Sequence, residues 1–153
     1  GISGNQHPVG RFYLFHQCGY GTGEEEPIDV YFESNMLYGS DFAYLHDLRV
    51  YDEDEEEKVS IAGSVYCLNV YKRVMFYAQK VDDSICIKYY SLEDKQEGEL
   101  ITIDAGADKA LKSLVVSDDY IIYDLGPKKE KEAVDTRVIW NRNTGETQEV
   151  VYQ

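Results

Sequence analysis

Alternation of apolar and polar residues with a period of two dominates this chain and constrains its fold more than any other feature. In PIDVYFES, Ile28, Val30 and Phe32 share one face of an extended strand, and SICIKYYSL repeats the pattern with Ile85 and Ile87. Successive side chains of a β-strand point to opposite faces, so the alternation predicts strands. DYIIYDL and TRVIWNR are apolar on both faces, as strands covered on both sides are. The sequence therefore predicts an all-β, antiparallel fold.

The pattern divides the chain into about eight to twelve strands within one domain, 1–153. One segment, DAGADKALKS, has the pattern of a short helical turn, and residues 1–10 are expected to be a frayed N-terminal segment. The expected strands are 11–17, 28–33, 42–52, 58–61, 64–70, 73–81, 84–92, 98–103, 112–116, 120–125, 136–142 and 146–152.

Turn-forming residues separate these strands. In NRNTGET, Asn143 and Gly145 stand where a tight reversal needs positive φ, and Asp82 with Asp83 reverses the chain in KVDDSI. Gly98 closes the longer polar reversal in EDKQEGE. The glycine-rich CGYGTGEEEP leads into three glutamates and no helix follows it, so it is interpreted as a hairpin connection and not as a phosphate-binding loop.

Net charge restricts the classes of partner. The chain carries a formal charge of −14, and its field repels the phosphates of nucleic acids and of anionic membranes. No apolar stretch reaches the ~18 residues that a membrane helix needs. A protein partner is expected, and a basic one is favoured because opposite charges steer encounter.

The three cysteines, Cys18, Cys67 and Cys86, are too few for a disulfide scaffold or a zinc ribbon, although one bridge between two of them fits the sequence. The first residue is Gly1 and not an initiator Met. That start favours an exported or cell-surface domain whose signal was cut away, although a designed chain would begin in the same way.

Six consecutive acids form the first candidate binding surface. A solvated hairpin tip is one interpretation of the run, because acidic tips discourage edge pairing between molecules; a contact surface for a basic partner is the other. A calcium loop needs a glycine to turn around the ion, and the run contains none, so no metal site is expected. The six acids are Asp52, Glu53, Asp54, Glu55, Glu56 and Glu57.

Three segments share one shape, a long aromatic strand, a polar turn and a short aliphatic strand: LRVYDEDEEEKVSI, IKYYSLEDKQEGELITI and RVIWNRNTGETQEVV. Their ends at Ile61, Ile103 and Val151 recur about every forty to fifty residues, the period of four-stranded blades. Over about 42–152 the chain resembles β-propeller blades of the bacterial kind, without a Trp-Asp, kelch or Asp-box motif. The resemblance implies about three blades, which need further chain or self-association to close a ring.

A self-contained sandwich or closed barrel is the alternative architecture at this length. A lipocalin-like barrel is the nearest familiar example, and VGRFYLF has Phe12 where the lipocalin tryptophan would stand. Such a barrel would enclose a small apolar ligand.

Histidines and tyrosines complete the candidates. His7 lies near the N-terminus, whereas His16 and His46 lie on expected strands. Either of these two histidines could act as a general base if it were paired with a carboxylate such as Asp47 or Glu33. No serine or cysteine stands in a nucleophile turn, so a hydrolase is the least favoured hypothesis and no catalytic residue or cofactor is predicted.

The favoured hypothesis is a non-catalytic acidic binding module that contacts a basic protein, or a glycan, through the acid run and Tyr89 and Tyr90. Core and cross-strand packing is the other interpretation of these rings. The alternatives are a structural fragment of a larger propeller and the ligand-binding barrel, and self-association is a further expectation.

Overall fold

The computed structural model describes residues 6–12, 30–38, 43–52 and 57–152 of the chain. These ranges hold eleven β-strands and no helix, and hence no helix that could cross a membrane. The strands are β1 (Gln6–Phe12), β2 (Val30–Tyr38), β3 (Ala43–Asp52), β4 (Glu57–Tyr71), β5 (Val74–Val81), β6 (Ser84–Ser91), β7 (Gln96–Ile103), β8 (Lys109–Val116), β9 (Tyr120–Pro127), β10 (Thr136–Asn141) and β11 (Thr147–Val151).

The strands form two antiparallel sheets in which chain order equals spatial order. One sheet has seven strands, β1 to β7, and the other has four, β8 to β11. Within the described strands no ladder joins the first strand of either sheet to its last, so both sheets are open there. The all-β, antiparallel prediction is confirmed.

Strand β4 belongs to two ladders in turn. Its first part pairs with β3 as far as Val65, and from Tyr66 onward it pairs with β5. Gly63 (φ 80°) and Cys67 (φ 54°) adopt left-handed backbone conformations on either side of this change. The expected strands 58–61 and 64–70 are therefore one long strand, and the chain forms three four-stranded meanders, the first two of which share β4.

Two apolar cores hold the meanders together. The first draws its residues from β2 to β6, and the second lies between the seven-stranded and the four-stranded sheet. Buried Asn69 on β4 links the two sheets, because its Nδ2 donates to the carbonyl oxygens of Cys67 and of Leu114 on β8, both at 3.1 Å. The largest fully buried side chains of the first core are Phe32, Leu48, Leu68 and Met75, and those of the second are Tyr44, Ile85, Ile87, Leu111, Leu114 and Ile121.

The helical turn expected in DAGADKALKS is wrong. Residues 104–108 lie outside any regular element, and the strand β8 begins at Lys109. Ala110 and Leu111 pair with Gly126 and Leu125 of β9, and both are buried. Sheet pairing and burial override the weak helical propensity of this short stretch.

The first strand also differs from the expectation. Strand β1 begins at Gln6, which pairs with Leu37, so residues 6–10 belong to the sheet, five residues before the expected start of the first strand. The sequence did not predict this strand because it contains Pro8 and Gly10, which are uncommon inside strands. The β1–β2 register shifts between these two residues, as a bulge in an edge strand permits. The remainder of the expected strand, 13–17, lies outside the described residues.

Two of the expected turns are formed, with different details. Gly145 has φ 78° as predicted, whereas Asn143 is not left-handed; instead Asn141 Oδ1 accepts hydrogen bonds from the backbone N–H groups of Asn143 (2.9 Å) and Thr144 (3.1 Å). Asp82 (φ 55°) makes the β5–β6 turn.

Gly98 does not close a turn. It lies within β7, and Lys95 (φ 56°) takes the left-handed position in the preceding turn instead.

Candidate functional site

A cleft of about 340 Å³ lies across β4, β5, β6 and β7. Clefts that bind small molecules start at roughly 300 Å³. Its lining residues are Ile61, Ala62, Tyr77, Gln79, Lys88, Glu97, Gly98 and Glu99.

Strand pairing brings these side chains together. Tyr77 on β5 is opposite Lys88 on β6, which is opposite Glu99 on β7, and directly paired residues share one face of a sheet. Gln79 follows Tyr77 on the same face, and its Nε2 donates to the carbonyl oxygen of Ala62 at 2.7 Å. That hydrogen bond connects the side of the cleft formed by β4, at Ile61 and Ala62, to its base on β5.

The cleft has a net negative lining. Glu97 and Glu99 are exposed and stand on the edge strand of the seven-stranded sheet. Lys88 is the one cation that lines it, and within the described part of the chain neither glutamate makes an ion pair with this lysine or with any other cation. Because two carboxylates face one ammonium group, the lining has an excess of negative charge that would attract a cationic group of a ligand.

Tyr77 forms the floor of the cleft, and its side chain is only 2% exposed. Burial raises the pKa of Tyr77 to about 12, with smaller contributions from the negative charge of Glu97 and from Cys86. The phenol is therefore neutral at all ordinary pH values and acts at this site only as a hydrogen-bonding group.

The raised pKa of Tyr77 predicts alkaline instability. An unfolded chain loses this proton near pH 10.0 and the folded chain near 12, so the stability that this group contributes is complete below pH 10 and is lost as the pH rises towards 12. The expected loss is up to roughly 3 kcal/mol, because the two pKa values differ by about two units and each unit is worth about 1.4 kcal/mol. Above pH 10 the free energy of unfolding, measured by urea denaturation, should fall more steeply with pH for the wild type than for Tyr77→Phe. Equal slopes in the two proteins would contradict the prediction.

The two predicted tyrosines lie in different surroundings. Tyr90 is only 8% exposed and belongs to the first core. Tyr89 is half-buried, and its ring lies over Gly98, where an added Cβ would come within 2.8 Å of Tyr89 Cε1. The contact explains why this strand position carries a glycine, since the ring fills the space of a side chain. A partner-binding role for the two rings stays a prediction.

The acidic run joins β3 to β4. Asp52 and Glu57 are a directly paired position of this ladder, and residues 53–56 between them lie outside the described residues. Glu57 begins β4, which reaches the cleft wall at Ile61 four residues later, about 13 Å along a strand. The end of the acidic run and the acidic cleft therefore lie on the same strand.

His46 contacts a serine and an aspartate. Its Nδ1 lies 2.8 Å from Ser64 Oγ, and its Nε2 lies 3.6 Å from Asp47 Oδ1. In a catalytic triad a buried carboxylate orients the imidazole, whereas Asp47 is 57% exposed and its contact is longer than a hydrogen bond. We derive no catalytic step from this group. His16 and the side chain of His7 lie outside what the structure describes.

The three cysteines differ in what the structure shows of their covalent state. Cys67 is disulfide-bonded, Cys86 is a buried free thiol, and Cys18 lies outside the described residues. Among the residues with described placement, no three histidine, cysteine, aspartate or glutamate side chains are grouped to hold a metal ion.

Sequence reasoning missed Glu97 and Glu99 as site residues, since the polar segment EDKQEGE was interpreted as a chain reversal, although Glu99 falls within the expected strand 98–103. The signal that could have found them is the alternation Glu97–Gly98–Glu99, which continues into the apolar ITI and indicates a strand. No protein-family model matches this chain, and no curated protein matches it.

Proposed function

We propose that this protein is a non-catalytic binding module that takes up a cationic side chain of a basic protein in the cleft on β4–β7. The observation that carries the proposal is the pair Glu97 and Glu99, which line the cleft without an ion-pair partner among the described residues. A lysine or arginine of a partner would supply the missing positive charge, and Tyr77 and Gln79 offer polar atoms beside it.

The charge of the whole chain supports a basic partner. At −14 its long-range field attracts cations and steers a basic protein towards the surface. The acidic run from Asp52 to Glu57 ends on the strand that forms the cleft wall, so it would extend the attractive surface beyond the cleft.

The disulfide bond of Cys67 supports an exported or cell-surface location for this module. Disulfides persist in oxidising compartments and are rare in the reducing cytosol. An exported acidic module would meet its basic partner outside the cell.

Fluorescence anisotropy of a labelled oligolysine peptide tests the proposal. The double variant Glu97→Gln/Glu99→Gln should bind the peptide about three- to tenfold more weakly, because an exposed ion pair contributes roughly 0.2–1 kcal/mol and 1.4 kcal/mol is a factor of ten. The loss should shrink as added salt screens the charges.

A matched control separates the site from the net charge. Glu130→Gln/Glu132→Gln removes the same two charges from exposed positions after β9 and should leave the affinity close to that of the wild type. Equal losses in both double variants would refute a cleft site, because only the net charge would matter. Loss only in Glu55→Gln/Glu56→Gln/Glu57→Gln would move the contact to the acidic run.

A second proposal concerns architecture: the three meanders are β-propeller-like blades. Its support is that each meander has four antiparallel strands, and that β4 and β8, the first strands of the second and third meanders, contact each other through Asn69 and Leu114. Ile122 and Ile139 pair on the face of the four-stranded sheet that points away from the second core, where a further blade would pack. Ring-shaped particles in electron micrographs would support blades, and an open monomer would oppose them.

A further inference from the structure

Within the described strands, the outer edge of β11 carries backbone hydrogen-bonding groups that no neighbouring strand pairs. Asn141 N–H donates to the carbonyl oxygen of Glu146 (2.9 Å), and Tyr152 N–H donates to that of Asp135 (2.8 Å). Antiparallel ladders alternate between bonded and non-bonded pairs, so even-numbered residues of this strand turn their backbone groups towards β10. Thr147, Glu149 and Val151 therefore turn theirs outward, and in the described part of the chain β11 is the last strand of its sheet.

Two of the other sheet edges have devices that oppose pairing. Strand β7 carries exposed Glu97 and Glu99, and charged side chains at an edge discourage association. On β8, Asn69 already donates to the carbonyl oxygen of Leu114. Strand β11 carries one exposed carboxylate, that of Glu149, and within the described residues no side chain is hydrogen-bonded to the outward backbone groups of Thr147, Glu149 and Val151. Side chains of the fourth edge strand, β1, are outside the described set.

Among the described residues, the end of β11 carries three consecutive exposed apolar side chains on an otherwise acidic protein. Val150, Val151 and Tyr152 are 36%, 65% and 44% exposed and follow one another in the chain. Glu149 is the one charged residue between Thr147 and Tyr152, whereas the chain as a whole carries −14. Two copies repel each other over most of their surfaces and least where these strands meet.

We propose that β11 pairs antiparallel with β11 of a second copy about a two-fold axis, which joins two four-stranded sheets into one. The outward backbone groups of Thr147, Glu149 and Val151 supply the hydrogen bonds, and the isologous contact closes after two copies. This inference is independent of the cationic-ligand proposal, because it uses a different sheet and different residues.

Charge selects the register of this pairing. An axis at Glu149 would set that carboxylate opposite its own copy, and like charges directly opposite are destabilising. An axis at Val150 sets Val150 opposite Val150 and Glu149 opposite Val151. Since Val150 turns its backbone towards β10, the central pair is non-hydrogen-bonded, with Cα atoms about 4.5 Å apart.

Disulfide trapping of the full chain tests both the contact and its register. Val150→Cys should form a covalent dimer under mild oxidation, because about 4.5 Å between Cα atoms suits a disulfide. Gln148→Cys is the matched control on the same face of the same strand. In the proposed register its two copies are four residues apart along the strand direction, about 13 Å, and should not cross-link. Equal trapping of both variants, or of neither, would overturn the register.

The mass of the wild-type protein in solution provides a second test of the dimer contact. Light scattering over a range of concentrations should show a reversible monomer–dimer equilibrium, and Val151→Glu should shift it to monomer, since the new carboxylate would stand opposite Glu149 of the other copy and like charges directly opposite are destabilising. Circular dichroism should show the same strand content in this variant. A wild-type monomer at all concentrations, or a dimer that Val151→Glu leaves intact, would overturn the contact.

Discussion

Replacing Gly126 with alanine should destabilise the fold by about 3 kcal/mol, near the top of the range for overpacked cores. Gly126 is buried on β9, and a Cβ added there would lie 2.0 Å from the carbonyl oxygen of Ala133 and 3.1 Å from the Cα of Val134. Both are backbone atoms, so no change of side-chain rotamer can relieve the clash. The urea midpoint of unfolding measures the loss.

The segment that covers Gly126 is held in place on several sides. Lys112 Nζ donates to the carbonyl oxygens of Pro127 (2.7 Å) and Glu130 (3.0 Å), and Lys128 N–H donates to that of Asp108 (2.9 Å). Moving residues 127–135 away from a new methyl group would break some of these hydrogen bonds. The cost of the substitution is therefore larger than that of a clash with a movable side chain.

Two controls separate space from backbone conformation. Gly106 has φ 76° and open space around a built Cβ, so Gly106→Ala should cost only the roughly 1–2 kcal/mol of a left-handed alanine. Adding Ala133→Gly to Gly126→Ala should restore nothing, because the clashing atom is the backbone oxygen of residue 133. Wild-type stability of Gly126→Ala would show that the segment can move.

Replacing Arg137 with methionine should cost roughly 3 kcal/mol, in the range for breaking one side of a buried ion pair. Arg137 Nε and Nη2 donate to Asp124 Oδ1 (2.8 Å) and Oδ2 (3.0 Å), and the Asp124 side chain is only 3% exposed. Methionine keeps most of the apolar stem but leaves a buried carboxylate without its cation. Chemical denaturation measures the loss.

Replacing Asp124, the other member of the ion pair, should cost less stability than replacing Arg137. Asp124→Asn leaves the guanidinium of Arg137, whose side chain is 37% exposed and reaches solvent, so the expected loss is about 1–2 kcal/mol. The double variant Asp124→Leu/Arg137→Met should recover much of the stability, because an apolar pair of similar volume often replaces a buried ion pair at little cost. A larger loss for Asp124→Asn than for Arg137→Met would contradict this order.

Part of the candidate site could be read from the sequence. The net charge, the acidic run and the expectation of a basic partner need no coordinates. The cleft could not be predicted, because it depends on Lys88 standing opposite both Tyr77 and Glu99, and strand pairing is a long-range property. Tyr90 could not be told from Tyr89 by sequence, since both rings lie on strands and only the packing of sheets decides which one is buried.

The sequence by itself determined that this chain is all-β and where several of its turns lie. Alternation is a local property, because neighbouring side chains of a strand must point to opposite faces, and left-handed turns restrict residue type at Gly145. Only the tertiary structure decided that β4 runs unbroken from one ladder into the next, that Ala110 and Leu111 extend and do not coil, and that Gly98 lies beneath a tyrosine ring. These outcomes depend on which strand or side chain arrives from elsewhere in the chain, and that competition for hydrogen bonds and buried area has no signature in a local pattern.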